Sequence, residues 1–159
     1  MNLDIICVGK LKEQYLRDAV KEYTKRLSRY CKVTVYEVKD EMAPVSPSSG
    51  EAEKILQAEA KRITKYIKDD SYIIALAIKG EQVTSEVLAE RIQDLMVRGS
   101  SHFTFIIGGS LGLDSSLLEA ANWRLSFSKM TFPHQLMRVI LCEQLYRSFT
   151  ILRNEPYHK

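Results

Sequence analysis

Five short apolar runs recur along this chain, each separated from the next by a stretch long enough to hold a helix. That alternation restricts the fold more than any other feature of the sequence. Parallel strands must be joined by crossovers, and a crossover helix lands on a face of the sheet, so the pattern predicts an α/β fold: a mostly parallel sheet with helices on both faces. The runs are Leu3–Val8, Lys32–Lys39, Ser71–Ile78, Phe103–Ile107 and Arg124–Phe127. Ser71–Ile78 is apolar throughout, as in a central strand covered on both faces, and Lys79-Gly80 is expected to end it. Lys32–Lys39 alternates Val33, Val35 and Glu37 with Thr34, Tyr36 and Val38, which suits a strand with one more polar face. Helices are predicted over Glu13–Tyr30, Glu51–Lys68, Ser85–Val97, Ser115–Ala121 and Pro133–Arg153. Thr84 or Ser85 caps the third, Gly99 stops it, and Pro133 suits the first turn of the last. Met42–Gly50, with two prolines and three serines, reads as a loop that caps the helix after it.

A chain of 159 residues, 45% hydrophobic and 27% charged, is expected to form one domain, residues 1–159, with a sizeable core. No apolar run approaches the roughly 20 residues of a membrane span. The opening, Met1 to Lys10, reads as the first strand of a cytoplasmic protein rather than a signal peptide. Cys7, Cys31 and Cys142 are odd in number and far apart, with no Cys/His ligand spacing. They read as reduced structural thiols, so neither a disulfide framework nor a metal site is expected. The net charge of +3 is uneven: eight basic against three acidic residues over Lys10–Lys32 give that stretch +5. Arg17, Lys21, Lys25 and Arg29 recur every four positions and form one basic stripe on a helix. Such a stripe is a solvated face or a place for a phosphate backbone.

Three loops follow the three most apolar strands: Lys79-Gly80, Gly108–Gly112 and Ser126–Phe132. Each alone is a tight turn. If their strands are neighbours, the loops meet at the carboxyl edge of the sheet, where open α/β sheets bind ligands through free backbone groups. Gly108-Gly-Ser-Leu-Gly112 is not the dinucleotide G-x-G-x-x-G, and no Gly-Lys-Ser/Thr ends a glycine loop, which argues against those nucleotide folds. The last helix is apolar almost all round, from Leu136 to Leu152. A short chain buries such a helix economically across a two-fold homodimer seam. Arg147 follows Glu143 by four, an intrahelical pair, and His134 reads as a helix-terminus residue. The end, Asn154-Glu-Pro-Tyr-His-Lys159, is either frayed or able to stack on a base and touch a phosphate.

Gly-Gly-Ser-x-Gly-Leu, Leu-Ser-x-Ser-x-Met-Thr-Phe-Pro-His-Gln, Glu-Gln-x-Tyr-Arg and the terminal Pro-Tyr-His-Lys occur here in that order. Together with the Val-Gly-Lys-Leu-Lys opening, they resemble the ribosomal RNA large subunit methyltransferase H family of SPOUT (α/β-knot) methyltransferases over the whole chain. The resemblance implies a C-terminal trefoil knot, S-adenosylmethionine as methyl donor, a homodimer, and no metal or membrane. It implies methylation of N3 of pseudouridine 1915 in helix 69 of 23S rRNA, on the assembled ribosome. Carried over residue by residue, the donor would be held by Leu76, Gly108, Phe127, Ser128, Lys129, Met130, Thr131 and Phe132. Arg147, Tyr157 and His158 would match residues tied to substrate and catalysis. Ser148 departs from the alanine expected after that arginine. Three rivals stay open: an RNA-binding module without catalysis, an α/β enzyme with another nucleotide cofactor, and methylation of a different RNA such as tRNA.

Overall fold

The computed structural model describes Met1–Lys159. Ten elements alternate: β1 Asn2–Val8, α1 Gln14–Leu27, β2 Lys32–Val38, α2 Ser49–Thr64, β3 Tyr72–Gln82, α3 Ser85–Val97, β4 His102–Ile107, α4 Ser115–Ala120, β5 Trp123–Ser126 and α5 His134–Leu152. The five strands form one wholly parallel sheet in the order β2-β1-β4-β3-β5. Period-two alternation then decides which side chains meet which helices. Leu3, Ile5 and Cys7 of β1 join Phe103 and Phe105 of β4 beneath α1, α3 and α5. Ile6 and Val8 face the opposite way, with Ile106, against Ala60 and Ile63 of α2 and Leu117 of α4. Both faces are therefore covered by helices, as the alternation predicts.

Local signals account for most boundaries. Ser48 caps α2 through a reciprocal capping box with Glu51, and Thr84 Oγ1 accepts from Val87 N to cap α3. The polar alternation in β2 belongs to an edge strand. α1 and α2 end about a turn earlier than the apolar pattern suggests, and Pro133 is the N-cap of α5 rather than a residue of its first turn.

β3 departs from expectation in two ways. It is second from the edge, and only Ile74 and Ala75 are buried, because its carboxyl half opens onto a cavity. It also continues through Lys79-Gly80 to Gln82. Ile74–Leu76 pair with Trp123–Leu125, then the register jumps so that Glu81 also faces Leu125 and Gln82 faces Ser126. The residues between bulge outward. Gly80 permits this, since a Cβ there would stand 2.7 Å from the Arg124 carbonyl oxygen.

α5 packs against α1 on one side and α3 on the other. Arg138 is 1% exposed, the largest fully buried side chain of the molecule. Its Nη2 donates to Val8 O (2.9 Å) and Gly9 O (2.5 Å), and its Nη1 donates to Glu37 Oε2 at 2.7 Å. The helix is thereby locked onto the carboxyl ends of β1 and β2.

Candidate active site

Because β4, β3 and β5 are neighbours, the loops leaving them converge. They enclose a cavity of about 670 Å³ lined by Leu76 and the bulge of β3, Gly108–Gly112, and the segment from Leu125 to His134. Gly108 is required by close approach, since any Cβ there would overlap the Gly112 carbonyl. Gly112 adopts φ +85°, a left-handed conformation that glycine takes without strain. The third bend is shaped by its hydroxyls. Ser126 Oγ reaches Ile78 O (2.9 Å) and Ser128 O (3.0 Å), which ties the bend back to β3. Ser128 Oγ accepts from Met130 N at 2.9 Å, closing a local turn.

Of the expected donor-binding residues, Leu76, Gly108, Phe127, Ser128, Met130, Thr131 and Phe132 line this one cavity. Lys129 lies within the same bend, but its side chain is exposed and does not line the wall. His134, read from sequence as a helix terminus, is the first residue of α5 and also a wall of the cavity. Burial, then the nearby Arg138 cation, holds its imidazole below the ordinary pKa, so the neutral ring is favoured. The wall combines apolar surface, hydroxyls and glycine backbone with the Lys79 and His134 side chains, and it contains no carboxylate. That lining suits a largely apolar, planar ligand held by packing and backbone groups.

The tail is ordered, contrary to the usual fraying of chain ends. α5 ends in a Schellman motif: Asn154 takes φ 53°, its N–H donates to Ile151 O, and Glu155 N–H donates to Thr150 O. The chain turns back, and Glu155 Oε2 accepts from Tyr30 Oη at 2.5 Å. Burial, followed by this bond, pushes the Tyr30 phenol up to about 12. Tyr157 then packs edge-on against Tyr146, with ring centroids 4.8 Å apart.

This return brings Arg147, Tyr157 and His158 into one network centred on Glu143. Arg147 donates to Glu143 Oε1 through Nε (3.0 Å) and Nη2 (2.5 Å), and Tyr157 Oη donates to the same oxygen at 3.1 Å. The guanidinium lies 4.8 Å from the centroid of the Tyr157 ring, and the carboxylate hydrogen bond raises its pKa further. Arg147 Nη1 is 3.2 Å from His158 Nδ1. A guanidinium only donates, so Nδ1 accepts and the ring proton sits on Nε2, 2.7 Å from Glu86 Oε1. Glu86 is held down to about 2 by the backbone N–H at the start of α3, then by Thr84 and His158. Glu86, a helix-start acid by sequence, and Gln144, the second residue of the Glu-Gln-x-Tyr-Arg motif, complete the network, a site role the sequence does not give them. Their signal is spatial: Glu86 lies 72 positions from His158.

The basic stripe of α1 does not converge on this site. Arg17 bonds the carbonyls of Leu11 and Lys12, while Lys21, Lys25 and Arg29 stay exposed.

Known proteins resemble this chain over its whole length. A family model described as "Predicted SPOUT methyltransferase" matches residues 1–158. The chain is 58% identical, over all 159 residues of both proteins, to "Ribosomal RNA large subunit methyltransferase H" of Bifidobacterium adolescentis. It is 53% identical, again over both full lengths, to the protein of that name from Clostridium kluyveri. Among solved structures, "a probable methylase family protein" from Haemophilus influenzae Rd KW20 superposes with a TM-score of 0.52 at 14% identity, a likeness of fold alone. That alignment covers 96% of this chain, which spans 66% of the other's length. With a SPOUT methyltransferase model matching nearly every residue and full-length relatives of more than half identity, the chain belongs to the SPOUT methyltransferases, in the ribosomal RNA large subunit methyltransferase H family.

Proposed function

We propose that this chain is a single SPOUT domain, knotted at its C-terminal segment, that works as a homodimer in the cytoplasm. It transfers the methyl group of S-adenosylmethionine to N3 of pseudouridine 1915, in helix 69 of 23S rRNA within the assembled ribosome. The observation that carries this reading is the convergence of Leu76, Gly108, Phe127, Ser128 and Met130–Phe132 on one cavity beside α5. When bound, the donor supplies a methyl on a sulfonium, whose S–CH3 bond breaks as N3–CH3 forms, so the acceptor needs alignment and loss of its N3 proton. The bends at Gly108 and Phe127–Phe132 would grip adenine and ribose, with Leu76 against the ring.

Arg147 serves the acceptor. A fixed cation beside O2 or O4 favours the pyrimidine anion, and the two bonds to Glu143 hold the guanidinium in one orientation. Tyr157 packs beneath that cation and shares the same carboxylate. His158 has both ring nitrogens engaged, by Arg147 and by Glu86, which holds the tail beside that cation. The homodimer is supported by the uncovered stripe of α5, where Leu136 is 38% exposed and Ile140, Glu143 and Arg147 are half-buried at helical spacing. An exposed Met130 adjoins it in sequence, before Pro133.

Assembled ribosomes lacking this modification are incubated with the protein and S-adenosylmethionine, then digested, and their nucleosides are weighed by mass spectrometry. The reading predicts one added methyl on the helix 69 pseudouridine. Donor binding without methylation of 23S rRNA contradicts it.

A further inference from the structure

Beside the donor cavity lies a smaller one of about 320 Å³. Leu88, Phe127 and Phe132 supply its apolar walls, and Thr84, Ser85 and Gln144 its polar side. Both cavities are lined by Leu125, Ser126, Phe127 and Phe132, so a group in the smaller one lies next to whatever fills the larger. Its volume falls at the low end of ligand sites, about 300–1,000 Å³, and suits a single planar ring better than a nucleoside cofactor.

Gln144 is the group there with hydrogen-bonding capacity to spare. Ser85 Oγ donates to its Oε1 at 2.6 Å, and its Nε2 donates to Glu143 Oε2 at 2.8 Å. A carboxylate only accepts, so Glu143 fixes which end of the amide is nitrogen. One N–H and one lone pair of the carboxamide remain free. Glu143 also receives Arg147 and Tyr157, so the amide and the cation assigned to the acceptor are oriented by the same carboxylate.

We propose that Gln144 recognises the N1–H/C2=O edge of pseudouridine in this second cavity and thereby selects pseudouridine over uridine. The proposal rests on the methyltransferase reading above and names how its acceptor is chosen. Pseudouridine is joined to ribose through carbon, so its N1 keeps a hydrogen beside the C2 carbonyl. In uridine that nitrogen carries the ribose and has no hydrogen to give. A primary carboxamide complements the pseudouridine edge, with Oε1 accepting N1–H and Nε2 donating to O2. N3 lies on the other side of C2, unpaired and free to face the donor cavity. Gln144 gains and loses no proton. It determines which base is aligned, and a site built to pair with an N–H rejects the analogue that lacks it.

The test compares wild type and Gln144→Ala on assembled ribosomes carrying either pseudouridine or uridine at the target position, reading kcat/KM for each. Calorimetric titration with S-adenosylmethionine is run on the same proteins. The proposal expects the pseudouridine-to-uridine preference to fall on the order of tenfold or more in the variant, with donor affinity unchanged. Ser85→Ala, which loosens the amide without removing it, should lower the preference by less. A Gln144→Ala enzyme with the wild-type preference overturns the assignment and leaves the methyltransferase reading intact. A wild-type protein that methylates neither substrate overturns both.

Discussion

Replacing Arg138 with methionine tests how the last helix is fixed to the sheet. The guanidinium is 1% exposed and gives two hydrogen bonds to the Val8 and Gly9 carbonyls and one to Glu37, while its Nε has no partner. Methionine fills much of the space of the stem, so the loss is polar rather than a cavity. Two backbone carbonyls stay behind without their donor, at about 1–3 kcal/mol each. Glu37 is different: its side chain is 35% exposed and still accepts from Leu11 N at 2.8 Å, so its charge stays hydrated. Removing the orphan Nε returns about 1 kcal/mol. The net expectation is a loss of about 1–5 kcal/mol. At about 2–4 °C per kcal/mol for a chain of this size, Tm should fall by roughly 2–20 °C. Urea unfolding followed by far-ultraviolet circular dichroism, at one fixed protein concentration, gives the number. A loss below about 1 kcal/mol with an unchanged m-value would refute the carbonyl argument. A double-mutant cycle with Glu37→Gln should show coupling of about 1 kcal/mol or less, as for a half-exposed pair.

Four further outcomes follow from the same geometry. Gly108→Ala places a methyl group against the Gly112 carbonyl, so the protein should fold but lose at least about tenfold in affinity for S-adenosylmethionine by calorimetry. Arg147→Ala should lower kcat by about 10²–10³ while leaving donor affinity unchanged; parental turnover would remove the role given to the cation. Deleting Tyr157–Lys159 should leave donor binding intact and cut turnover, and loss of donor binding alone would contradict the division between cavity and tail. Burial raises the Cys7 and Cys142 thiols from the ordinary 9.0 to about 12. In the unfolded chain these thiols release their protons first, so their contribution is constant below pH 9 and is lost as pH rises from about 9 to about 12. Urea midpoints over that range should fall less steeply for Cys7→Ala/Cys142→Ala than for wild type.

Much of the architecture is written locally. Phe103–Ile107 and Leu3–Val8 bury apolar side chains on both faces because helices cover both, with Asp4 and Thr104 as their buried polar exceptions, and the bounds of α3 follow from Thr84 and the left-handed Gly99. The departures are tertiary in origin. β3 outruns Lys79-Gly80 because Gly80 can press against the backbone of Arg124 and Leu125, a contact between segments distant in sequence. Arg138 reads as one charge among several on an apolar helix; its burial depends on the carbonyls of Val8 and Gly9, about 130 positions earlier. The order of the tail rests on Glu143, Tyr146 and Glu86, and nothing in its composition separates it from a frayed end. In the site, the bends at Gly108–Gly112 and Ser126–Phe132 were legible because glycine and hydroxyl residues follow apolar strands, whereas Lys79-Gly80 lies in a bulge within β3 rather than in a loop after it. The role of His134 as a cavity wall was not, since it depends on where α5 is docked.

The central claim is that three bends at the carboxyl edge of the sheet hold the methyl donor next to the acceptor. A crystal structure of the protein grown with S-adenosylmethionine tests it most directly. The account predicts the donor between Leu76, Gly108 and Phe127–Phe132, with its methyl directed toward the cavity that contains Gln144. A donor bound elsewhere, with those bends unchanged and empty, would contradict it.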